Sequence, residues 1–285
     1  MRRSLLFIPA NTPAMMQNAD VFEADAVIFD LEDAVQMTEK DAAVDLFTQF
    51  LNQFKLNNIE IVVRINGLDT PFGESDLNRI VSDQIDTIML PKATVQSTAL
   101  CEGLIRKIEK RKKMQKQIHI IPIIERAVSV IESYEIASFE RVDGLLLGAE
   151  DLATDLEVER TEQGFEILFA RSMVIMAAKA NGIDAIDTPY TSTTNLKGLE
   201  MDSVLAKSLG MNAKSCIHPN QIDTVNHVFS PSLDAIRHAK RILEAESEAT
   251  KSHLGAFSVD GKMIDKPIIE RARKVIEKAK LWKIE

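Results

Sequence analysis

The sequence has few of the residues that build covalent or metal cross-links. Its 285 residues include only two cysteines, Cys101 and Cys216. They have no Cys-x-x-Cys spacing, which excludes a disulfide framework and a cysteine-bound zinc site. The five histidines are not spaced as metal ligands either. We therefore expect both cysteines to be reduced, with Cys101 on a helix and Cys216 in a buried strand.

Positive charge and long apolar runs are also scarce. The net charge of -9 and the pI of about 5.2 argue against a nucleic acid or an anionic membrane as partner, because both require a basic surface. The densest basic run, residues 106–116, has the composition of a helix end, where cations favour the helix dipole. No apolar run approaches a membrane span in length, and the first one ends at Ala10, too early for a signal-peptide core. These features predict a cytoplasmic protein.

The sequence does contain a repeat of short apolar runs, each followed by a helix-sized segment. There are eight such runs, at residues 4–10, 26–33, 60–66, 87–93, 119–125, 142–148, 182–190 and 213–219. Their richness in Ile, Val and Leu is typical of strands buried on both faces of a parallel sheet. No GxGxxG motif follows any of them, which removes the main support for an open dinucleotide-binding sheet. Eight repeats predict an α/β fold of the (β/α)8 TIM-barrel type.

The last part of the chain exceeds what a barrel requires. We assign residues 1–230 to the barrel and residues 231–285 to a C-terminal arm. The arm has a helical pattern from about residue 232 to 251, a glycine-bounded segment at 255–265 and a final helix at about 267–283. Asp260–Gly261 predicts the turn of a hairpin in the middle segment. We expect this helix–hairpin–helix arm to pack on a neighbouring subunit.

Two neighbouring apolar runs end in carboxylates. Glu125 closes the run at 119–125, and Glu150 and Asp151 follow the run at 142–148. In a β-α-β unit these acids emerge at the same edge of the sheet, where they repel each other unless a cation lies between them. Oxygen ligands of this kind suit a hard divalent cation, so Glu125 and Asp151 are candidate metal ligands. On these two runs alone, helix capping explains the acids equally well.

Charged residues follow the other predicted strands too. They are Asp30, Glu32, Asp33, Arg64, Lys92 and Asp187. The active site of a TIM barrel forms at the C-terminal ends of its strands, whereas its interior is filled by branched apolar side chains. This much charge on one rim therefore favours a polar ligand and a metal over packing.

Several blocks of the sequence resemble the HpcH/HpaI-type family of metal-dependent acyl-CoA lyases and, within it, the citrate lyase beta subunits. They stand in the family's order between Arg3 and the last helix: RRSLLFIPAN, ADAVIFDLEDAV, EKDAA, VVRINGLDTPFGESDL, LPKA, GAEDLATDL, LFARS, SCIHPNQID and GKMIDKP. The run at 159–171 is more similar to the citrate lyase subunit than to freestanding relatives. Three positions depart from the family pattern: Ala10 replaces a glycine, Arg126 replaces a small residue, and Thr191–Ser192 replaces an acidic step.

The resemblance implies a homotrimer and a set of site residues. Magnesium is expected on Glu125 and Asp151. Arg64 is expected to meet the carboxylate or carbonyl of the substrate, with Glu125, Asp33 and Lys92 as further substrate-binding residues. Asp265 is the expected acid/base residue and reaches the site of an adjacent subunit. The alternatives are an Arg64 paired with Asp33 or Glu125, and an Asp265 that only forms a turn. His218 is expected to be a satisfied histidine at a strand end.

The implied reaction is magnesium-dependent cleavage of a citryl thioester to oxaloacetate and an acetyl thioester. The carrier is coenzyme A or an acyl-carrier protein, and the implied partners are citrate lyase alpha and acyl-carrier (gamma) subunits. One alternative is a freestanding lyase or thioesterase that acts on malyl-CoA, citramalyl-CoA or a related acyl-CoA. The other is a non-catalytic scaffold subunit, in which Glu125 and Asp151 bind no metal.

Overall fold

Eight parallel strands form a closed barrel in the computed structural model, which describes residues 1–251 and 257–284. They are β1 (Ser4–Pro9), β2 (Ala26–Asp30), β3 (Glu60–Arg64), β4 (Thr87–Leu90), β5 (His119–Ile124), β6 (Gly144–Leu147), β7 (Asp184–Asp187) and β8 (Ala213–Cys216). Each strand pairs with the next one in the chain, and β8 returns to β1 with Leu6 opposite Cys216. The predicted TIM barrel is confirmed.

Helices connect the strands and follow the barrel. They are α1 (Pro13–Met16), α2 (Lys40–Gln53), α3 (Gly73–Ile80), α4 (Val95–Lys112), α5 (Ala127–Ile131), α6 (Ser133–Ala137), α7 (Ala149–Asp155), α8 (Leu168–Asn181), α9 (Leu196–Leu209), α10 (Ile222–Phe229), α11 (Leu233–Lys251) and α12 (Lys266–Leu281). Short 3-10 turns occupy residues 19–22, 37–39, 165–167 and 219–221. Within the described residues, no helix is long and apolar enough to cross a membrane.

One helix prediction differs from the structure. The segment between β5 and β6 forms two short helices instead of one, because Glu132 between them has a non-helical ψ of 2° and its carboxylate accepts a hydrogen bond from the Val95 N–H. After β6 and α7, the next helix begins only at Leu168, beyond Gly164, which has a left-handed φ of 66°.

The barrel interior is apolar, and its N-terminal end is closed by an ion cluster. Leu5, Ile28 and Ile121 are 0% exposed inside the barrel. At the N-terminal end, the Arg2 side chain is 8% exposed and contacts three carboxylates: Glu60 at 2.5 Å, Asp143 at 2.7 Å and Asp184 at 3.1 Å.

The chain divides into two compact units, Met1–Asn226 and His227–Glu285. In the second unit, β9 (Phe257–Val259) pairs antiparallel with β10 (Lys262–Ile264), and α11 and α12 flank this hairpin in the chain. Asp260 and Gly261 form its turn with φ of 52° and 76°, as the sequence predicts. The predicted hairpin start near Gly255 lies outside the described residues.

Both cysteines lie where the sequence places them. Cys101 is on α4 and Cys216 is in β8, and both are free and buried. Burial raises the pKa of each thiol to about 12.

Candidate active site

Glu125 follows β5 directly and is only 4% exposed. One of its carboxylate oxygens accepts a hydrogen bond from the backbone N–H of Lys92, a residue with a left-handed φ of 49°. On its other side, a Cβ at Gly148 would lie 2.6 Å from the second carboxylate oxygen. Only a glycine at position 148 leaves room for the carboxylate. Gly148, which follows β6, therefore determines where the Glu125 side chain lies.

Glu125 has an unusual protonation equilibrium. Burial above all, together with the nearby charges of Asp151 and Glu32, raises its pKa to about 8, against the Lys92 hydrogen bond and the charge of Arg64, which lower it. A carboxyl of this kind binds a proton or a metal cation much more readily than an exposed one.

Asp151 shares a cavity with Glu125. It lies in the first turn of α7, is exposed, and makes no salt bridge or side-chain hydrogen bond within the described residues. The cavity has a volume of about 160 Å³, and its wall also includes Arg64, Asp33, Phe7 and Thr188. The structure therefore brings together Glu125, Asp151, Arg64 and Asp33 from four separate strand ends.

Arg64 is held firmly in place at the end of β3. Its Nε and Nη2 donate to Asp30 at 2.7 and 2.6 Å, while Nη1 contacts Glu32 at 3.0 Å and Asp33 at 3.2 Å. Its guanidinium lies 5.1 Å from the centre of the Phe7 ring, on the inner wall of the barrel. Burial lowers the pKa of Arg64, but the surrounding carboxylates outweigh burial and the net shift is upward. Arg64 thus pairs mainly with Asp30, and it also pairs with Asp33, which was one of the alternatives expected from the sequence.

Glu32 links the two basic residues of the rim. It is 7% exposed and lies 3.0 Å from Arg64 Nη1 and 3.4 Å from Lys92 Nζ. Burial raises its pKa. The backbone of this loop is fixed by the buried Lys40, whose ammonium donates to the carbonyls of Leu31 and Glu32 at 2.9 and 2.5 Å. Lys92 therefore balances Glu32, and its side chain is 39% exposed.

Asp187 does not face the cavity. Its carboxylate is 0% exposed and binds Arg171 at 2.9 Å and Lys214 at 2.6 Å. Lys214 also donates to the carbonyl of Thr188 at 2.7 Å, and the Thr188 hydroxyl accepts from the Ala149 N–H at 3.2 Å. Asp187 thus belongs to a buried network that supports the cavity wall from behind.

Asp265 and His218 each form a local cap. Asp265 is exposed and accepts a hydrogen bond from the Ile268 N–H at 3.2 Å, as the N-cap of α12. This contact is compatible with either role proposed for Asp265, so its place in an adjacent subunit's site stays a prediction. The Nδ1 of His218 accepts a hydrogen bond from the backbone N–H of Asn220 at the start of the 3-10 turn after β8, as expected for a histidine whose hydrogen-bonding needs are met locally. Arg126 makes no salt bridge with Glu125 among the described residues.

The residues at the cavity fit a divalent cation. The described residues contain no group of three or more His, Cys, Asp or Glu side chains placed to hold a metal. Glu125 and Asp151 supply two carboxylates, one of them buried with its pKa raised to about 8. Two protein ligands leave coordination positions for water and substrate oxygens, an arrangement typical of Mg²⁺.

Sequence reasoning did not identify several residues that line the cavity, among them Phe7, Gly148 and Thr188. The position of Gly148, between a buried strand and the acids Glu150 and Asp151, could have indicated a role in the site. Phe7 and Thr188 give no local signal, because their role depends on contacts across the barrel.

The comparisons with known proteins agree with this geometry. The chain matches the family described as "HpcH/HpaI aldolase/citrate lyase" over residues 3–219. It is 40% identical to citrate lyase subunit beta of Haemophilus influenzae over 283 residues, which cover 98% of this chain and 97% of that protein. It is 31% identical to a (3S)-malyl-CoA thioesterase of Cereibacter sphaeroides over 277 residues, which cover 97% of this chain and 94% of the relative. A solved structure of CitE from Mycobacterium tuberculosis, in complex with magnesium, acetoacetate and coenzyme A, is 30% identical with a TM-score of 0.78 over 98% of each chain.

Proposed function

Because this chain belongs to the HpcH/HpaI aldolase/citrate lyase family and is a carbon–carbon lyase, we propose that it cleaves a citryl thioester into oxaloacetate and an acetyl thioester. The observation that carries this proposal is the shared cavity of Glu125 and Asp151, two carboxylates without a salt bridge of their own in the described residues. The 40% identity to a citrate lyase subunit beta over almost the whole chain favours the citryl group.

Glu125 and Asp151 would hold Mg²⁺ in this cavity. The CitE structure in complex with magnesium supports the choice of metal. When bound, the ion supplies a Lewis acid that lowers the pKa of the substrate hydroxyl and stabilises the developing ketone.

Arg64 orients the keto-acid end of the substrate in this proposal. Asp30 holds two of its nitrogens in a fork, so the guanidinium is preorganised. Its Nη1 contacts Glu32 and Asp33 at 3.0 and 3.2 Å, and a substrate carboxylate would replace the exposed Asp33 on this nitrogen. The N–H of Ala149 is already bound to Thr188, so it does not serve as a substrate donor.

Lys92 and Asp33 act at the edge of the cavity. The Lys92 ammonium balances the charge of Glu32, and its backbone N–H holds Glu125. The side chain of Asp33 is 66% exposed, so it is free to bind water or a polar part of the substrate. Both residues therefore contribute to the electrostatic potential at the cavity without taking part in bond cleavage.

Asp265 supplies the final proton in this mechanism. Cleavage of the C–C bond leaves its electron pair on the thioester as an enolate, and the hydroxyl gives its proton to water as the ketone forms. Asp265 of an adjacent subunit starts protonated, delivers its proton to the enolate carbon and is reprotonated from water, which completes the acetyl thioester. Its exposed position at the start of α12 leaves the carboxylate accessible to another subunit.

The substrate carrier and the partners follow from the same relatives. We propose coenzyme A or an acyl-carrier protein as carrier, with citrate lyase alpha and acyl-carrier subunits as partners of a homotrimer. Co-purification with those subunits is the expected result if the chain works as a beta subunit.

An assay of purified protein with citryl-CoA and malyl-CoA, each with and without Mg²⁺, tests the reaction. Oxaloacetate and acetyl-CoA should form from citryl-CoA only when Mg²⁺ is present. Equal binding and turnover without the metal would contradict the proposal, and a failure of Glu125 and Asp151 to bind any metal would favour the scaffold alternative.

The second candidate is a freestanding enzyme acting on malyl-CoA, citramalyl-CoA or a related acyl-CoA. The 31% identical malyl-CoA thioesterase favours it. Release of free coenzyme A and malate from malyl-CoA identifies a thioesterase, whereas glyoxylate and acetyl-CoA identify a lyase.

A further inference from the structure

A second cavity adjoins the first one at the rim of the barrel. It has a volume of about 150 Å³ and shares Glu150 and Pro189 with the cavity of Glu125 and Asp151. Four residues with neutral hydroxyl groups line it: Thr161, Tyr190, Thr191 and Ser192. Such hydroxyls donate hydrogen bonds to oxygen acceptors.

One guanidinium nitrogen of this second cavity has no hydrogen-bond partner within the described part of the chain. Arg160 lines the cavity and uses its Nε for Glu150, at 3.0 Å, and its Nη1 for Glu166, which leaves Nη2 without a partner. Together with the four hydroxyl groups, this nitrogen offers donors to an oxygen acceptor of a ligand, and a carboxylate makes the strongest hydrogen bonds with a guanidinium.

The carboxylates of the second cavity have cation partners or contact solvent. Glu150 shares Arg160 with Glu166, as three carboxylates share Arg2 at the other end of the barrel, and Asp202 is bound by the buried Lys214 at 2.6 Å. Glu162, the third lining carboxylate, is solvent-exposed, where water and salt screen its charge.

We propose that the second cavity binds the carboxymethyl group of the citryl chain, and that Arg160 selects this group. The inference rests on the proposed function. A citryl group bears a CH2–COO⁻ substituent on its hydroxyl carbon where a malyl group bears hydrogen and a citramalyl group bears methyl. The first cavity holds the hydroxyl and its geminal carboxylate, so the additional carboxylate needs a cation outside that cavity. The guanidinium of Arg160 is such a cation, and it contacts Glu150, which lines both cavities.

Two keto acids isolate this carboxylate. Oxaloacetate is pyruvate with one added carboxylate, so their relative affinities report on the second cavity without any turnover. Calorimetry in the presence of Mg²⁺ should show that the unmodified protein binds oxaloacetate about tenfold or more tightly than pyruvate, the range of one charge-assisted hydrogen bond. Arg160→Gln should reduce that preference to about twofold or less and leave pyruvate affinity unchanged.

The matched control is Arg106→Gln on α4. Arg106 is also an arginine with two carboxylate partners, Glu102 and Glu140, and it lies on the surface of a helix. It should retain the full preference for oxaloacetate.

A second variant keeps the test independent of any folding defect in Arg160→Gln. Thr191 is exposed and has no side-chain hydrogen bond among the described residues, so Thr191→Asp adds a carboxylate to the cavity wall without removing a contact. This variant should also lose the preference for oxaloacetate. An unmodified protein that binds neither keto acid would overturn the proposed function together with this inference. A clear preference for oxaloacetate that survives in both variants would overturn the second cavity alone.

Discussion

Both ends of the barrel carry clusters of charged side chains, and the two clusters are built in opposite ways. At the N-terminal end each carboxylate has a direct cation, because Arg2 contacts all three of them: Glu60, Asp143 and Asp184. At the C-terminal end, Glu125 and Asp151 line a cavity without a salt bridge of their own in the described residues. The first cluster is complete as it stands, whereas the second one is complete only with a ligand.

This difference separates stability from function within one barrel. Removal of the central cation from a paired cluster destabilises the folded chain, while carboxylates that are unpaired from the start raise its energy and are retained for what they bind. In TIM barrels the C-terminal face carries the chemistry, and the N-terminal face serves stability. Variants at the two ends should therefore have opposite effects on activity and on unfolding.

The largest effect on activity is expected at the cavity carboxylates. Glu125→Gln and Asp151→Asn should each abolish Mg²⁺-dependent cleavage and weaken Mg²⁺ binding, because each variant removes one of two protein ligands. Calorimetry with Mg²⁺ and circular dichroism measure binding and folding separately. Unchanged Mg²⁺ affinity in both variants would remove the metal assignment.

Arg64→Lys should lower kcat/KM by about 10²-fold, the size expected for loss of one preorganised charge stabiliser. Lysine cannot make the two-nitrogen fork to Asp30 and still present a third nitrogen to the substrate. Steady-state kinetics with citryl-CoA measure the effect. Wild-type kinetics in this variant would exclude Arg64 from the site.

If the chain forms the proposed homotrimer, mixed assemblies should recover part of the activity that two strongly impaired variants lack. Asp265→Asn and Arg64→Lys, combined and reassembled, should form some sites that draw an intact Arg64 from one chain and an intact Asp265 from another. Asparagine also caps helices well, so Asp265→Asn preserves the N-cap of α12 and separates capping from catalysis. An inactive mixture despite proven subunit exchange would place Asp265 outside a neighbour's site.

Arg2→Met should change stability and leave kcat/KM per folded molecule unaltered. We expect a loss of about 3 kcal/mol in the free energy of unfolding, at the lower end of the cost of breaking a buried pair. The lower end applies because the side chains of Glu60, Asp143 and Asp184 are 15–30% exposed. Denaturant unfolding measures the loss, and a reduced kcat/KM would contradict the separation of the two ends.

The last prediction concerns pH. In metal-free protein the pKa of Glu125 is about 8 when folded, against 4.5 for an ordinary glutamate, so folding becomes less favourable as pH rises from about 5 to 8. Glu125→Gln lacks this group, so its stability relative to the unmodified protein should rise over the same interval. Thermal unfolding in chelator at pH 5 and pH 8 gives the comparison. A constant difference between the two proteins would contradict the raised pKa.

The fold was predictable because each barrel strand is a short apolar run, and the count of eight runs leaves few alternatives. The rim acids were predictable for the same reason, since Glu125 and Asp151 stand directly after such runs. The assignments of Asp187 and of Arg64 were incomplete. Asp187 follows a strand like the others, but its partners, Arg171 and Lys214, come from other elements and face it only after the barrel closes.

The ends of helices were hardest to predict where a side-chain hydrogen bond interrupts the helix. The break at Glu132 depends on a hydrogen bond to Val95, which lies 37 positions away in the chain. Apolar periodicity contains no information on such a contact. The hairpin turn at Asp260–Gly261, in contrast, is encoded by two adjacent residues and was predicted correctly.

The burial of both cysteines makes the unmodified chain a clean background for site-specific labelling. The thiolate is the nucleophile that attacks a thiol reagent, and a buried thiol with a pKa of about 12 is almost never ionised at neutral pH. A cysteine introduced on the exposed face of α12 and another on the rim would therefore carry fluorophores alone. Energy transfer between them, within one chain and across mixed chains, would report how the second unit is placed and how fast subunits exchange.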